Sequence, residues 1–321
     1  MAIISKDNTL EWAVYLVIGY LGFWFLPSIC IILLDNDFSA LIKFPLALLA
    51  SGATLYAFKK YLGWYVEDGA RLSVFGQIHK VCIGWLVSAL YLFTTLICLF
   101  ATKHYSVAYF NFNLINQLGW FSIYLLAAVI EEITARGILF RFITDKWNVV
   151  AGLVVSSIVF GLVHLFNPNA TALSCLRIAI TGGWLCAIVY AYHRTLWVPI
   201  GIHWAWNYIQ SNIFEHSVPG SALNGTPILI LASNGVKFPA GIEFDTEVSI
   251  ISTAIGVAIS VVYTILYFKK KTRIKTGEEK NSSNLFLPQC SRHTIRKALS
   301  SSLERNGDLY IKYKSSNPSF T

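Results

Sequence analysis

The chain has 321 residues, of which 55% are hydrophobic and only 13% are charged, and its mean hydropathy is +0.56. A soluble globular domain carries about 25% charged residues, so this composition excludes a soluble domain and predicts a polytopic membrane protein. The net charge of +8 is local: residues 269–321 hold 12 Lys and Arg against 4 Asp and Glu, which leaves 13 of the 25 basic and 13 of the 17 acidic residues for residues 1–268.

Eight apolar segments are predicted to cross the bilayer as helices, since a spanning helix needs about 20 mostly apolar residues. They are Trp12–Leu34, Leu41–Phe58, Val81–Phe100, Leu118–Ile143, Val149–Phe166, Leu176–Tyr192, Leu196–Phe214 and Val248–Phe268. We therefore predict an all-α fold, a transmembrane bundle of about eight helices, formed by residues 1–268. The tail 269–321 is basic and rich in Ser and Asn, and we expect it to be largely disordered.

The distribution of lysine and arginine predicts the orientation. The last segment runs directly into Lys269, Lys270 and Lys271, so the positive-inside rule places the C-terminus in the cytoplasm. Eight segments then place the N-terminus there as well. Residues 269–275 should also attract anionic lipid headgroups. We favour the cell membrane over the endoplasmic reticulum, and we interpret the basic tail as lipid-facing rather than as a nucleic-acid-binding segment.

The fourth segment carries two adjacent glutamates and an arginine, Glu131, Glu132 and Arg136. Each central charge costs about 2.5–3.5 kcal/mol on membrane-insertion scales. A Glu132–Arg136 pair at positions i and i+4 that merely locks helices together would explain two of these charges. On their own, the three residues leave this packing explanation and a functional one equally open.

Further polar residues enter the fifth and seventh segments. Phe160 and His164 lie four residues apart on one helical face, and so do His203 and Asn207. At 1.5 Å per residue, Glu131, His164 and His203 would lie about 18, 24 and 12 Å from the cytoplasmic helix ends. Tilted or broken helices must bring them into one polar intramembrane cavity, or the segment ends must differ from those predicted, and Gly161 and Pro199–Gly201 are the candidate places for a break.

These residue types support hydrolysis by activated water. A carboxylate in an apolar surround can take a proton from water near neutral pH, and imidazole and amide N–H groups can stabilise an oxyanion. A competing interpretation is a Zn²⁺ site with Glu131, His164 and His203 as ligands. A proton-coupled transporter that uses the same residues as a relay, and a non-catalytic membrane immunity protein or scaffold, also stay open.

At these residues the chain resembles the CAAX-protease and bacteriocin-processing family, also called the Abi family, of intramembrane glutamate proteases. The family pattern is E-E-x-x-x-R, F-x-x-x-H and H-x-x-x-N or H-x-x-x-D on separate helices. It is matched here by Glu131-Glu132 to Arg136, by Phe160 to His164 and by His203 to Asn207. The basic tail is not part of the family core.

The resemblance implies a metal-independent endopeptidase, with no cofactor, that acts on a membrane-associated or prenylated protein or peptide. By analogy Glu131 is the general base, His164 positions the water, and His203 and Asn207 stabilise the oxyanion. Glu132, Arg136 and Phe160 would support that geometry. Eukaryotic members of the family remove the last three residues of prenylated CAAX proteins, while bacterial members act in peptide maturation or in immunity to peptide toxins.

Overall fold

The computed structural model describes residues 8–35, 38–65, 78–103, 105–167, 170–214, 227–233 and 250–275. Their helices run back and forth as an all-α bundle, which confirms the predicted fold class. The first helices of the bundle are α1 (Thr9–Asp35), α2 (Ala40–Tyr65) and α3 (Lys80–Ala101). The first residues of the tail that was expected to be largely disordered, 269–275, instead continue the last helix, Ile250–Lys275. The rest of the tail and most of the segment 215–247 lie outside the described residues.

In the centre of the chain, α-helices alternate with π-helical and 3₁₀ segments, with short breaks around residues 147–148 and after Phe166. These segments are α4 (Leu114–Glu132), a π-helix that we name π1 (Ile133–Phe140), α5 (Arg141–Lys146), α6 (Val149–Val163) and a 3₁₀ turn (His164–Phe166). Next come α7 (Ala172–Ile178), π2 (Ala179–Trp184), α8 (Leu185–His193), α9 (Trp197–Tyr208), π3 (Ile209–Ile213) and finally α10 (Ile250–Lys275).

Short polar side chains fix where several helices begin. The Asn113 carboxamide accepts the amide N–H of Asn116 at the start of α4, and Asn148 accepts two amide N–H groups at the start of α6. Thr171 and Ser174 cap each other's backbone groups at the start of α7. Such caps satisfy amide donors that the first helical turn leaves unpaired.

Among the residues that the structure describes, six helices are long and apolar enough to cross a membrane: Thr9–Leu34, Ala40–Trp64, Lys80–Ala101, Val149–Phe166, Ala172–His193 and Ile250–Arg273. They coincide with six of the eight predicted segments. The fourth and seventh segments are also helical, as α4–π1–α5 and α9–π3, although neither is among the six. The two exceptions carry the glutamate pair and the His203–Asn207 pair.

The expected breaks at Gly161 and Pro199–Gly201 were wrong, since both lie in regular α-helix. Pro199 falls in the first turn of α9, where its missing N–H removes no helical hydrogen bond. The glycines instead permit close helix contact. A Cβ on Gly201 would collide with the Val81 carbonyl of α3, and a Cβ on Gly161 would lie 2.7 Å from the Ala179 Cβ.

A small sheet at one end of the bundle was not predicted. Strand β1 (Tyr105–Phe110) pairs antiparallel with β2 (Leu229–Ser233), with a register shift between Val107 and Tyr109. The opposite end gathers cations from several helices. Lys146 donates to the Thr9 hydroxyl at 3.1 Å, and His193 lies within electrostatic range of Lys80 and Lys270. This cationic end is the one predicted to face the cytoplasm.

Candidate active site

Arg136 in π1 is the most deeply buried cation of the site, with no exposed surface. Its Nη1 donates to Glu132 Oε1 at 2.7 Å, and its Nη2 donates to the Gly182 and Gly183 carbonyls at 3.0 and 2.9 Å. The guanidinium also lies 4.3 Å from the centre of the Phe160 ring. A buried charge is tolerated only when paired and hydrogen-bonded in this way.

Two π-helices create this binding environment. π1 begins directly after Glu132, and π2 contains the glycines whose carbonyls accept from Arg136. In a π-helix the backbone hydrogen bonds span five residues instead of four, so that some carbonyls become available to other donors. Such segments often occur at functional sites. Gly183 also lets α6 come close, since an added Cβ would lie 3.0 Å from Ser157 Cα. Sequence reasoning missed this contact, although the adjacent Gly182 and Gly183 in an apolar segment were a signal that could have indicated it.

His203 of α9 lies between the two glutamates. Its Nδ1 is 2.9 Å from Glu132 Oε1, and because a carboxylate accepts, the Nδ1–H donates. Its Nε2 is 3.9 Å from Glu131 Oε2. The two adjacent glutamates therefore differ in environment: the Glu132 side chain is fully buried, whereas the Glu131 side chain is 23% exposed.

His164 adjoins this cluster through Phe160. Its Nδ1 lies 2.7 Å from the Phe160 carbonyl oxygen. A carbonyl can only accept, so Nδ1–H donates and, in the neutral ring, Nε2 keeps its lone pair. The Phe160 ring centre lies 4.9 Å from that of His164 and 6.0 Å from that of His203. One aromatic ring therefore touches both histidines and the arginine.

The remaining motif residue, Asn207, is buried at 8% exposure one turn beyond His203. No hydrogen bond joins its side chain to the other motif residues within the described ranges. The structure thus brings Glu131, Glu132, Arg136 and His203 together around Phe160, with His164 and Asn207 beside them. Glu131, His203 and His164 are thus brought to one place around the Phe160 ring despite the different depths estimated from the helix ends.

Several polar atoms of the cluster keep hydrogen-bonding capacity. Within the described part of the chain, Glu131 Oε2, Glu132 Oε2 and Arg136 Nε have no hydrogen-bond partner. Buried polar atoms of this kind are normally satisfied by water or ligand. The arrangement can therefore hold a water molecule or a polar substrate group next to the two carboxylates.

The structure does not assemble the ligand set suggested for zinc. Over the described ranges, no three His, Cys, Asp or Glu side chains are grouped so that they could hold a metal ion. Glu131 and His203 adjoin each other, whereas His164 donates its Nδ1–H to the Phe160 carbonyl and keeps only Nε2 as a possible metal ligand.

Sequence reasoning missed two neighbours of the glutamates. Tyr20 of α1 is within electrostatic range of Glu131 and Arg136, and Cys186 of α8 is within range of Glu132. Both residues lie in apolar segments where one tyrosine or cysteine gives no signal of its own. Helix α1 therefore forms one wall near the candidate base.

The fold and the site together define an integral multi-pass membrane protein with a buried Glu–Arg–His cluster. Residues 113–209 match the family model described as Type II CAAX prenyl endopeptidase Rce1-like. The match begins at the cap of α4 and contains all three motifs, which confirms the resemblance seen in the sequence. No curated protein and no solved structure matches the chain significantly. The family match indicates a protease of the CAAX type.

Proposed function

We propose that this protein is an intramembrane endopeptidase that hydrolyses a peptide bond of a membrane-associated or prenylated protein with water activated by Glu131. One observation carries the proposal. Glu131 and the fully buried Glu132 adjoin the same imidazole, and a buried arginine holds Glu132. Packing alone would require only the Glu132–Arg136 pair and would leave Glu131 and His203 without a role.

Glu131 is the general base of the proposed reaction. Its Oε2 is 3.9 Å from His203 Nε2, so a water that donates to Glu131 at about 2.8 Å would lie next to the donor proposed for the oxyanion. Glu131 takes a proton from this water while the oxygen attacks the scissile carbonyl carbon. When the C–N bond breaks, the proton passes to the departing amine, so that one water is consumed and an acid and an amine are formed.

His164 assists on the water side. Because its Nδ1–H is held by the Phe160 carbonyl, the Nε2 lone pair remains as an acceptor. A second acceptor fixes the orientation of a water before its proton leaves, which is how positioning contributes to the rate.

His203 and Asn207 are the proposed stabilisers of the oxyanion. With Nδ1–H donated to Glu132, Nε2 of His203 donates only in the imidazolium form, which adds its charge to the hydrogen bond. Asn207 contributes an amide N–H from the next turn of the same helix. Donors in a dry site have a large effect on the rate because few competing dipoles screen them.

Glu132 and Arg136 act through His203 and are positioning residues. Glu132 Oε1 accepts from both Arg136 and His203, so it fixes the imidazole ring in one orientation. The analogous carboxylate–histidine pairs of other enzymes fix the tautomer in the same way.

The test is cleavage of a farnesylated CAAX peptide by the purified protein in proteoliposomes, with Glu131→Gln compared with Glu11→Gln. Glu11 is exposed in the first turn of α1 and serves as a matched control. We expect Glu131→Gln to lower kcat by about 10²–10⁴-fold, the usual contribution of a general base, while Glu11→Gln leaves it unchanged. Full activity of the folded Glu131→Gln protein would refute the assignment, and a wild-type protein that cleaves nothing would favour transport or a scaffold.

A chelator separates the two hydrolytic mechanisms. Incubation with a strong chelator followed by dialysis should leave the cleavage rate unchanged if Glu131 acts without a metal. Loss of activity that Zn²⁺ restores would instead support a zinc site.

A further inference from the structure

A groove of about 910 Å³ lies at the end of α10, beside the last turn of α8 and away from the candidate active site. Its lining includes Ile265 and Leu266 of α10, the aromatic ring of Tyr192, and three cations, Lys269, Lys270 and Arg273. The groove is therefore located at the cationic end of the bundle, where helix α10 leaves the predicted membrane region.

The chemistry of the groove changes along α10. Ile265 and Leu266 are 48% and 42% exposed and continue the apolar surface of the helix. One turn further on, Lys269 is exposed and Lys270 is half-buried. An apolar stretch followed directly by cations matches a molecule with one apolar and one anionic end. Inorganic phosphate would use only the cationic half.

One cation of the groove, Lys270, is held in place by a neighbouring aromatic ring. Lys270 Nζ lies 5.1 Å from the centre of the Tyr192 ring, so one wall of the groove orients the ammonium group. Next to it, His193 is within range of Lys80 and Lys270, and its Nε2 is buried without a hydrogen-bond partner among the described atoms. Three helices, α3, α8 and α10, thus contribute positive or hydrogen-bonding groups at one place.

We propose that this groove binds one anionic phospholipid, with its phosphate at Lys269 and Lys270 and an acyl chain along Ile265 and Leu266. This is a defined site rather than the diffuse attraction of basic residues for an anionic surface. Charge complementarity and the order of apolar and cationic groups along α10 select a lipid. The proposal does not depend on the catalytic assignment, because binding can be measured without cleavage.

The test is native mass spectrometry of the full-length protein released from phosphatidylcholine nanodiscs that contain increasing fractions of phosphatidylglycerol. We compare Lys269→Gln/Lys270→Gln with Lys59→Gln/Lys60→Gln, since the latter lysines are exposed on α2 at the same end of the bundle. If each lysine in contact with the bound phosphate contributes the ~1 kcal/mol known for a cation near anionic lipid, it contributes about five-fold to the affinity of the groove. The groove variant should therefore bind phosphatidylglycerol about 30-fold more weakly, and the α2 variant should bind it as the wild type does.

Equal losses in the two double variants would overturn the proposal, because they would show general surface attraction. Leu266→Trp tests the apolar half without changing charge, against Leu26→Trp on the exposed face of α1. Loss of phosphatidylglycerol binding in Leu266→Trp alone would support the site, and unchanged binding would overturn it. Soluble glycerol phosphate should not displace the lipid; displacement at equal concentration would show a phosphate site instead.

Discussion

Helix α1 and the helical segment Ala172–His193 both have membrane-spanning length, but they differ in how much of their surface is buried in the protein. Only 6% of the α1 span is buried in the protein, against 56% of Ala172–His193. α1 presents apolar side chains such as Leu26 outward, while π2 presents the Gly182 and Gly183 carbonyls inward to Arg136. The difference shows how the buried charge is accommodated. Arg136 is stabilised by backbone carbonyls of a helical segment that is itself mostly buried in the protein.

The largest effect is expected from Arg136→Met. Breaking a buried ion pair by removing one partner costs about 3–5 kcal/mol, since the other charge is left uncompensated. Lys59→Met, on the exposed face of α2, should change the unfolding free energy little. Thermal unfolding in detergent measures both variants.

The double variant Glu132→Leu/Arg136→Met is the control for this prediction. Replacing a buried pair by apolar residues is often neutral, so stability should recover while peptide cleavage does not. A double variant as unstable as Arg136→Met alone would show that the pair does not act as a unit.

Asn207→Leu should lower kcat by about 10²–10³-fold, the usual loss for one oxyanion donor, with little change in unfolding temperature. The matched control is Asn212→Leu in π3. Its amide donates to Gln117 at 3.2 Å and has no assigned part in the chemistry, so it should lower stability and spare kcat. Equal kcat in wild type and Asn207→Leu would remove Asn207 from the mechanism.

Gly84→Ala should destabilise the protein by about 1–3 kcal/mol, the usual cost of overpacking, because its Cβ would collide with the Val198 carbonyl where α3 crosses α9. Gly52→Ala on α2 has no atom within 4 Å of the added Cβ and should be neutral or stabilising by up to about 1 kcal/mol. Chemical denaturation of both variants in the same detergent compares the crowded and the lipid-facing surface directly.

The smallest effect is expected from Tyr124→Phe. Its hydroxyl donates to Ser211 Oγ at 2.6 Å in the bundle interior, and loss of one such hydrogen bond costs about 0.5–1.5 kcal/mol. Tyr56→Phe, with a ring 62% exposed on α2, should be neutral. Equal changes in the unfolding free energy of the two variants would show that the Tyr124–Ser211 hydrogen bond does not stabilise the protein.

Local patterns in the sequence predicted much of the helical architecture. Apolar length predicted all six of the apolar spans, and the i, i+4 spacing of Glu132 and Arg136 placed the two side chains on one face. The contact between Glu132 and His203 could not be derived, because it joins residues 71 positions apart through packing. The β1–β2 sheet is equally non-local, and π-helical winding depends on tertiary contacts rather than on propensity.

The partners of Arg136 have a consequence for how the protein is made. Glu132 emerges from the ribosome with the arginine, but the Gly182 and Gly183 carbonyls follow 46 and 47 residues later, and His203 follows Glu132 by 71. At about 5–20 residues per second, roughly 4–14 s separate Glu132 from His203. During that interval Arg136 has Glu132 as its partner but lacks the two glycine carbonyls, so transfer of α4 and π1 into lipid becomes more favourable once π2 has been synthesised.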